Sequence, residues 1–103
     1  MSSKEYYRNH NFKRNYGIDT EEYVTMFVSQ QGVCAICKQP ETFTIKGKVI
    51  NLAVDHDHET GKVRSLLCRN CNLALGYFKD DVENLQEALR YLKNHNSNGL
   101  FIG

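Results

Sequence analysis

Four cysteines constrain this chain more than anything else in it. They fall in two pairs, Cys34-x2-Cys37 and Cys68-x2-Cys71, separated by thirty residues. A two-residue spacer lets one tight turn present two thiolates at the angle a tetrahedral ion requires, so two such turns define a four-thiolate zinc site. Disulfides are the alternative, but nothing at the N-terminus, Met1-Ser2-Ser3-Lys4-Glu5-Tyr6-Tyr7, reads as an export signal, and a reducing compartment keeps thiols free. A redox C-x-x-C normally occurs once, beside a βαβ unit, and no such unit is evident. With four sulfur ligands the site is closed to water, so the expected role of the ion is structural.

The chain length makes the clamp matter. At 103 residues a single small domain is expected, and its hydrophobic core is thin. Zinc binding then contributes directly to folding free energy. Hydrophobic residues make up 41% and charged residues 24%, the balance of a soluble globular chain. No apolar run reaches the ~20 residues of a membrane span, so a cytoplasmic protein with no membrane partner is expected. The net charge of +1 excludes bulk electrostatic coating of nucleic acid. The first sixteen residues are locally basic, with Lys4, Arg8, Lys13 and Arg14 against Glu5, and Tyr6, Tyr7, Phe12 and Tyr16 between them. Such an arm suits phosphate contact and base stacking, or is simply a solvated helix with an aromatic face.

Periodicity outlines the elements. Residues 4–16 read as a helix stopped by Gly17. A second helix is expected at 20–31, with Asp19 and Glu22 as a capping box, apolar pairs Tyr23/Phe27 and Val24/Val28, and Gly32 as its end. Residues 42–54 alternate and are β-branched, which predicts strands 42–45 and 49–54 around a turn at Gly47. Another strand is expected at 63–67 and a helix from Arg69 to Phe78. A last helix follows Asp80 or Asp81, with Val82, Leu85, Leu89 and Leu92 on one face and fraying from Asn94 onward. The expected division is an N-terminal helical arm (1–33), a core (34–78), and a C-terminal helix and tail (79–103), all in one domain.

The second chemical feature is Asp55-His56-Asp57-His58, at the end of the strand Leu52-Ala53-Val54. Four metal-ligating or acid–base groups in a row are rare. Cys68 and Cys71 follow within fifteen residues, and Asn72 comes directly after Cys71. A strand, turn, strand and helix would bring residues 55–58 back to a helix start that zinc holds in place. A polar turn with Asp side chains capping backbone is the simpler reading, and spare zinc ligands are another. On an ideal strand Asp55 and His56 face opposite ways, so a shared site requires the strand to end or bulge there.

These residues resemble the recombination endonuclease VII family of phage and prophage proteins, a branch of the HNH or His-Me finger nucleases. The resemblance rests on Cys34-Ala35-Ile36-Cys37, on Leu52 through His58, on Gly61-Lys62-Val63-Arg64-Ser65-Leu66-Leu67-Cys68, and on Cys71-Asn72. Tyr16-Gly17-Ile18 with Glu21-Glu22-Tyr23, and Ala74-Leu75-Gly76 with the final helix, look like the family's flanking parts. The resemblance implies an α+β, zinc-stapled ββα-metal finger with flanking helices. It implies that Asp55 and Asn72 hold a catalytic Mg²⁺ or Mn²⁺, that His56 is the general base, and that His58 contacts phosphate or helps the metal site. Cys34, Cys37, Cys68 and Cys71 hold the structural zinc. Lys62, Arg64 and Arg69 flank the site and are candidates for the DNA backbone.

The activity so implied is metal-dependent DNA hydrolysis. The best-known relatives resolve branched DNA as dimers through long helical segments, and this sequence ends at Gly103 without one. Nicking or low-specificity cutting of duplex DNA is therefore expected ahead of Holliday-junction resolution. A homodimer and phage packaging or recombination proteins stand as candidate partners, in the cytoplasm of a bacterial host. The competing readings are a silent zinc module that binds nucleic acid and a small zinc-stapled interaction protein. Neither needs Asp55, His56 and Asn72 together.

Overall fold

A computed structural model describes residues 17–96. The helix expected at 4–16 and the basic aromatic arm lie outside them. The elements in order are α1 (Thr20–Ser29), β1 (Thr44–Ile45), β2 (Lys48–Val49), β3 (Ala53–His56), β4 (Val63–Leu67), α2 (Arg69–Tyr77) and α3 (Val82–Asn96). Described residues thus form a small α+β arrangement of three helices and two two-stranded antiparallel sheets, β1–β2 and β3–β4. No helix among them is long and apolar enough to cross a membrane. The chain divides between Asn72 and Leu73 into two compact units.

In the first unit, α1 begins as its sequence dictates. The Glu22 N–H donates to Asp19 Oδ1 (2.8 Å) and the Asp19 N–H to Glu22 Oε1 (3.4 Å), closing the capping box. Its end differs from expectation. The helix stops at Ser29, and Gln31 rather than Gly32 takes the left-handed position after the cap, at φ 58°. Gln31 N–H bonds Val28 O and Gly32 N–H bonds Phe27 O, both at 2.9 Å, which is the Schellman pattern. Gly32 is required for a second reason. A β-carbon there would lie 3.2 Å from Phe27 Cζ, on a backbone already at φ 74°.

The β1–β2 ribbon turns through Lys46 and Gly47, both at positive φ (52° and 80°), as a type I′ hairpin requires. The expected strand 49–54 is not one strand. Val49 ends β2 opposite Thr44, and Ala53 starts β3 opposite Leu67 in the other sheet. The two halves share the same alternation, so periodicity cannot reveal that the chain changes partner between them.

The core of this unit is Ile18, Cys34, Leu52, Val54, Leu66, Leu67 and Cys68. Two side chains tie α1 to the β3–β4 hairpin around it. Tyr23 Oη donates to Leu52 O at 2.6 Å. The Gln30 carboxamide accepts from Leu66 N–H (2.9 Å) and donates to Leu66 O (3.0 Å) and Val33 O (2.9 Å). A strand residue turns its N–H and C=O to the same side, so Gln30 stands where a neighbouring strand would bond β4.

In the second unit, Asp81 caps α3 by accepting from Asn84 N–H at 3.1 Å. The helix continues to Asn96, past the fraying expected from Asn94. Val82, Leu89 and Leu92 are each more than half exposed.

Candidate functional site

The two cysteine pairs meet. Their four Sγ atoms lie within 4.8 Å of one another, and those of Cys37 and Cys68 are 3.8 Å apart. At a Zn–S distance of about 2.3 Å the edge of a regular tetrahedron is about 3.8 Å, so the cluster has the size a zinc ion needs. All four are free thiols. The first pair sits in a knuckle where Lys38 N–H bonds Cys34 O (3.1 Å) and Ile36 N–H points at Cys34 Sγ (3.4 Å). Ala35 N–H docks the knuckle on β4 through Leu66 O at 3.1 Å. The second pair opens α2, with Cys71 N–H directed at Cys68 Sγ (3.4 Å).

The thiols divide in a telling way. Burial pushes Cys34 up, but hydrogen bonds from the backbone of Cys68, Cys37 and Ile36 outweigh it and bring its pKa down to about 6. Cys71 is pushed up to about 12, first by burial and then by hydrogen bonds among the neighbouring cysteines, and Cys68 is raised for the same reasons. Crowding the thiols together therefore opposes ionisation of Cys68 and Cys71 beside a Cys34 that ionises readily. A divalent cation among them lets all four ionise, so the donor set is that of a structural zinc site.

α2 is fixed at its start by a second device. Glu41 Oε2 accepts from Arg69 N–H (2.7 Å), placing a carboxylate on the helix N-terminus, while its Oε1 accepts from Phe43 N–H (3.1 Å). Sequence reasoning did not single out Glu41. The 28-residue separation from Arg69 hides the contact from any local pattern. Half-buried Asn72 follows Cys71 in α2, its N–H on Cys68 O at 3.0 Å.

Asp55 and His56 end β3. The register runs Val54↔Leu66 and then His56↔Val63, so one β3 residue, Asp55, faces two on β4, Arg64 and Ser65. The extra residue belongs to β4, and β3 ends at His56. Asp55 is buried, at 6% exposure. Both its oxygens accept from Arg64, from Nε to Oδ2 at 2.6 Å and from Nη2 to Oδ1 at 3.0 Å. His56 is half-buried, and Gly17 packs beside it: a β-carbon at Gly17 would stand 3.5 Å from His56 Nε2 and 3.7 Å from Val63 Cγ2.

Asp57 behaves as a turn former. Its Oδ1 accepts from Glu59 N–H (2.8 Å) and Thr60 N–H (3.0 Å), and these bonds lower its carboxyl pKa. His58 is exposed in the same turn. Of the three basic residues, Lys62 is exposed, Arg64 is on Asp55, and the Arg69 guanidinium lies 4.2 Å from the centre of the Phe43 ring.

The chain belongs to the recombination endonuclease VII family, whose profile matches residues 9–94. Among curated proteins it is 47% identical over 79 residues to the Gene 59 protein of Mycobacterium phage D29 and 44% identical over 80 residues to the Gene 59 protein of Mycobacterium phage L5. These matches cover 76% and 77% of this chain but 45% and 46% of the relatives, so the chain spans about half the length of the proteins it matches.

Proposed function

We propose that this chain is a metal-dependent endonuclease of the His-Me finger type, hydrolysing phosphodiester bonds in duplex DNA with low sequence specificity, in the bacterial host cell of a phage or prophage. The observation that supports it most is the break in register at Asp55, in a hairpin that leads directly into a helix start clamped by four cysteines and carrying Asn72.

In this reading the Asp55 carboxylate and the Asn72 amide oxygen hold one Mg²⁺ or Mn²⁺. These are hard oxygen donors of the kind such cations prefer, few enough to leave room for water and phosphate. When bound, the cation supplies positive charge to the phosphate and to the leaving 3′-oxygen. An imidazole nitrogen of His56 accepts a proton from the attacking water, whose oxygen bonds to phosphorus as the bond from phosphorus to the 3′-oxygen breaks. The 3′-oxygen takes a proton from solvent, leaving 5′-phosphate and 3′-hydroxyl ends. His58 serves as a phosphate contact, and Lys62 and Arg69 as backbone contacts on the DNA.

The test is conversion of supercoiled plasmid to nicked circles by zinc-loaded protein with Mg²⁺, with Mn²⁺ or with neither added, beside His56→Ala. Cation-dependent nicking that His56→Ala abolishes is the expected result. A four-way junction tested in parallel reports whether branched DNA is the preferred substrate. Protein inert on every substrate would leave a nucleic-acid-binding zinc module instead.

A further inference from the structure

We propose that Arg64 is a positioning residue for Asp55 and not a ligand for DNA phosphate. The inference rests on the nuclease reading, in which Asp55 holds the cation.

Arg64 sits in the bulge that lets two β4 residues face Asp55. From there its guanidinium meets the carboxylate side-on, with Nε on one oxygen and Nη2 on the other. A planar fork on a planar carboxylate fixes the rotation of the carboxyl group as well as its position. Each carboxylate oxygen has two acceptor directions, so after the fork one direction remains on each for a cation or its water. The Asp55 side chain is 8% exposed and that of Arg64 36%, so the guanidinium is the more solvent-facing partner. Drawing Arg64 away to a phosphate would break both bonds of the fork and free the rotation of a buried carboxylate that has to face the cation. The arrangement is that of an outer partner orienting a metal ligand, whose loss in metalloproteins weakens metal binding about 10–100-fold.

Two measurements on the zinc-loaded full chain separate the roles. The first is Mn²⁺ affinity without DNA, by electron paramagnetic resonance, for wild type, Arg64→Ala and Arg64→Lys. The second is the salt dependence of duplex binding for the same proteins, zinc-loaded and with no Mg²⁺ or Mn²⁺ added. Both variants are expected to bind Mn²⁺ at least about tenfold more weakly, with a salt slope equal to that of wild type. A slope reduced by about one counter-ion would make Arg64 a phosphate ligand and overturn the proposal. Unchanged or tighter Mn²⁺ binding would overturn it too, as would full rescue by lysine, which keeps the charge without the fork. Zinc content and circular dichroism report folding, and if Arg64→Ala does not fold, Arg64→Lys decides the matter. Wild-type protein that neither binds Mn²⁺ nor nicks DNA sinks the nuclease reading and this inference with it. Wild type that does both, beside variants with full Mn²⁺ affinity, sinks the Arg64 assignment alone.

Discussion

Replacing Gln30 by alanine removes three hydrogen bonds, two that tie the end of α1 to Leu66 of β4 and one to Val33 O just before the first cysteine knuckle. The losses are unequal. Leu66 O keeps its bond from Ala35 N–H, whereas Leu66 N–H, in a residue with 0% exposure, loses the carboxamide oxygen that accepts it. An unsatisfied buried donor costs about 1–3 kcal/mol, and each ordinary hydrogen bond about 0.5–1.5 kcal/mol net. A loss of about 3 kcal/mol is therefore expected, which at about 4–8 °C per kcal/mol lowers Tm by roughly 12–24 °C in a domain of this size. Urea denaturation followed by circular dichroism, at fixed excess zinc, measures it as a lower midpoint at unchanged slope. Gln30→Met fills similar space without the bonds and should behave like alanine. A change below about 0.5 kcal/mol in either variant, within the range of ordinary surface substitutions, would refute the claim that the carboxamide replaces a missing strand.

Three further outcomes are expected. Metal analysis should find one zinc per chain, and Cys71→Ser or a strong chelator should release it and unfold the first unit, because structural zinc supplies about 10–16 kcal/mol in small domains; a chelated protein that keeps its far-ultraviolet spectrum would contradict this. Gly17→Ala should cost about 1–2 kcal/mol for placing an L-residue at left-handed φ, and should shift the His56 ring resonances in NMR because the new methyl lies 3.5 Å from Nε2; unmoved resonances would show that Gly17 does not shape the environment of His56. Asp57 has a lowered pKa when folded, so its contribution is present above the unfolded value of about 3.9 and is lost as pH falls through the folded value. Protection of the Glu59 and Thr60 amides, relative to their intrinsic exchange rates, should therefore fall as pH drops through that lowered folded value, and Asp57→Ala should remove that step.

Much of this molecule could be read locally. The α1 cap lies within four residues, the turn at Gly47 within two, and the zinc site in two C-x2-C spacers. The strand at 63–67 followed directly from its β-branched and apolar run. What stayed hidden is set by contacts between distant residues. The change of sheet between Val49 and Ala53 leaves the alternation intact, so no period marks it. Glu41 reaches Arg69 across 28 residues, and Gln30 reaches Leu66 across 36. In sequence Arg64 stood with Lys62 and Arg69 as a candidate contact to the DNA backbone. Only the register of β4 against β3 brings it onto Asp55, and an extra residue in a strand shifts that register without any signature in composition.

The β1–β2 ribbon offers a practical opening. Every residue of its two strands is exposed, its turn is two residues long, and a β-carbon on Gly47 would touch nothing within 4 Å. Its base is held by the Ile50 N–H bond to Phe43 O and by Glu41. Chain inserted between Lys46 and Gly47 therefore has solvent on all sides and need not disturb the thiol cluster or Asp55. That makes the tip a natural place to splice in a fluorophore-binding or affinity peptide, so that the folded, zinc-bound protein can be tracked without a fusion at either terminus.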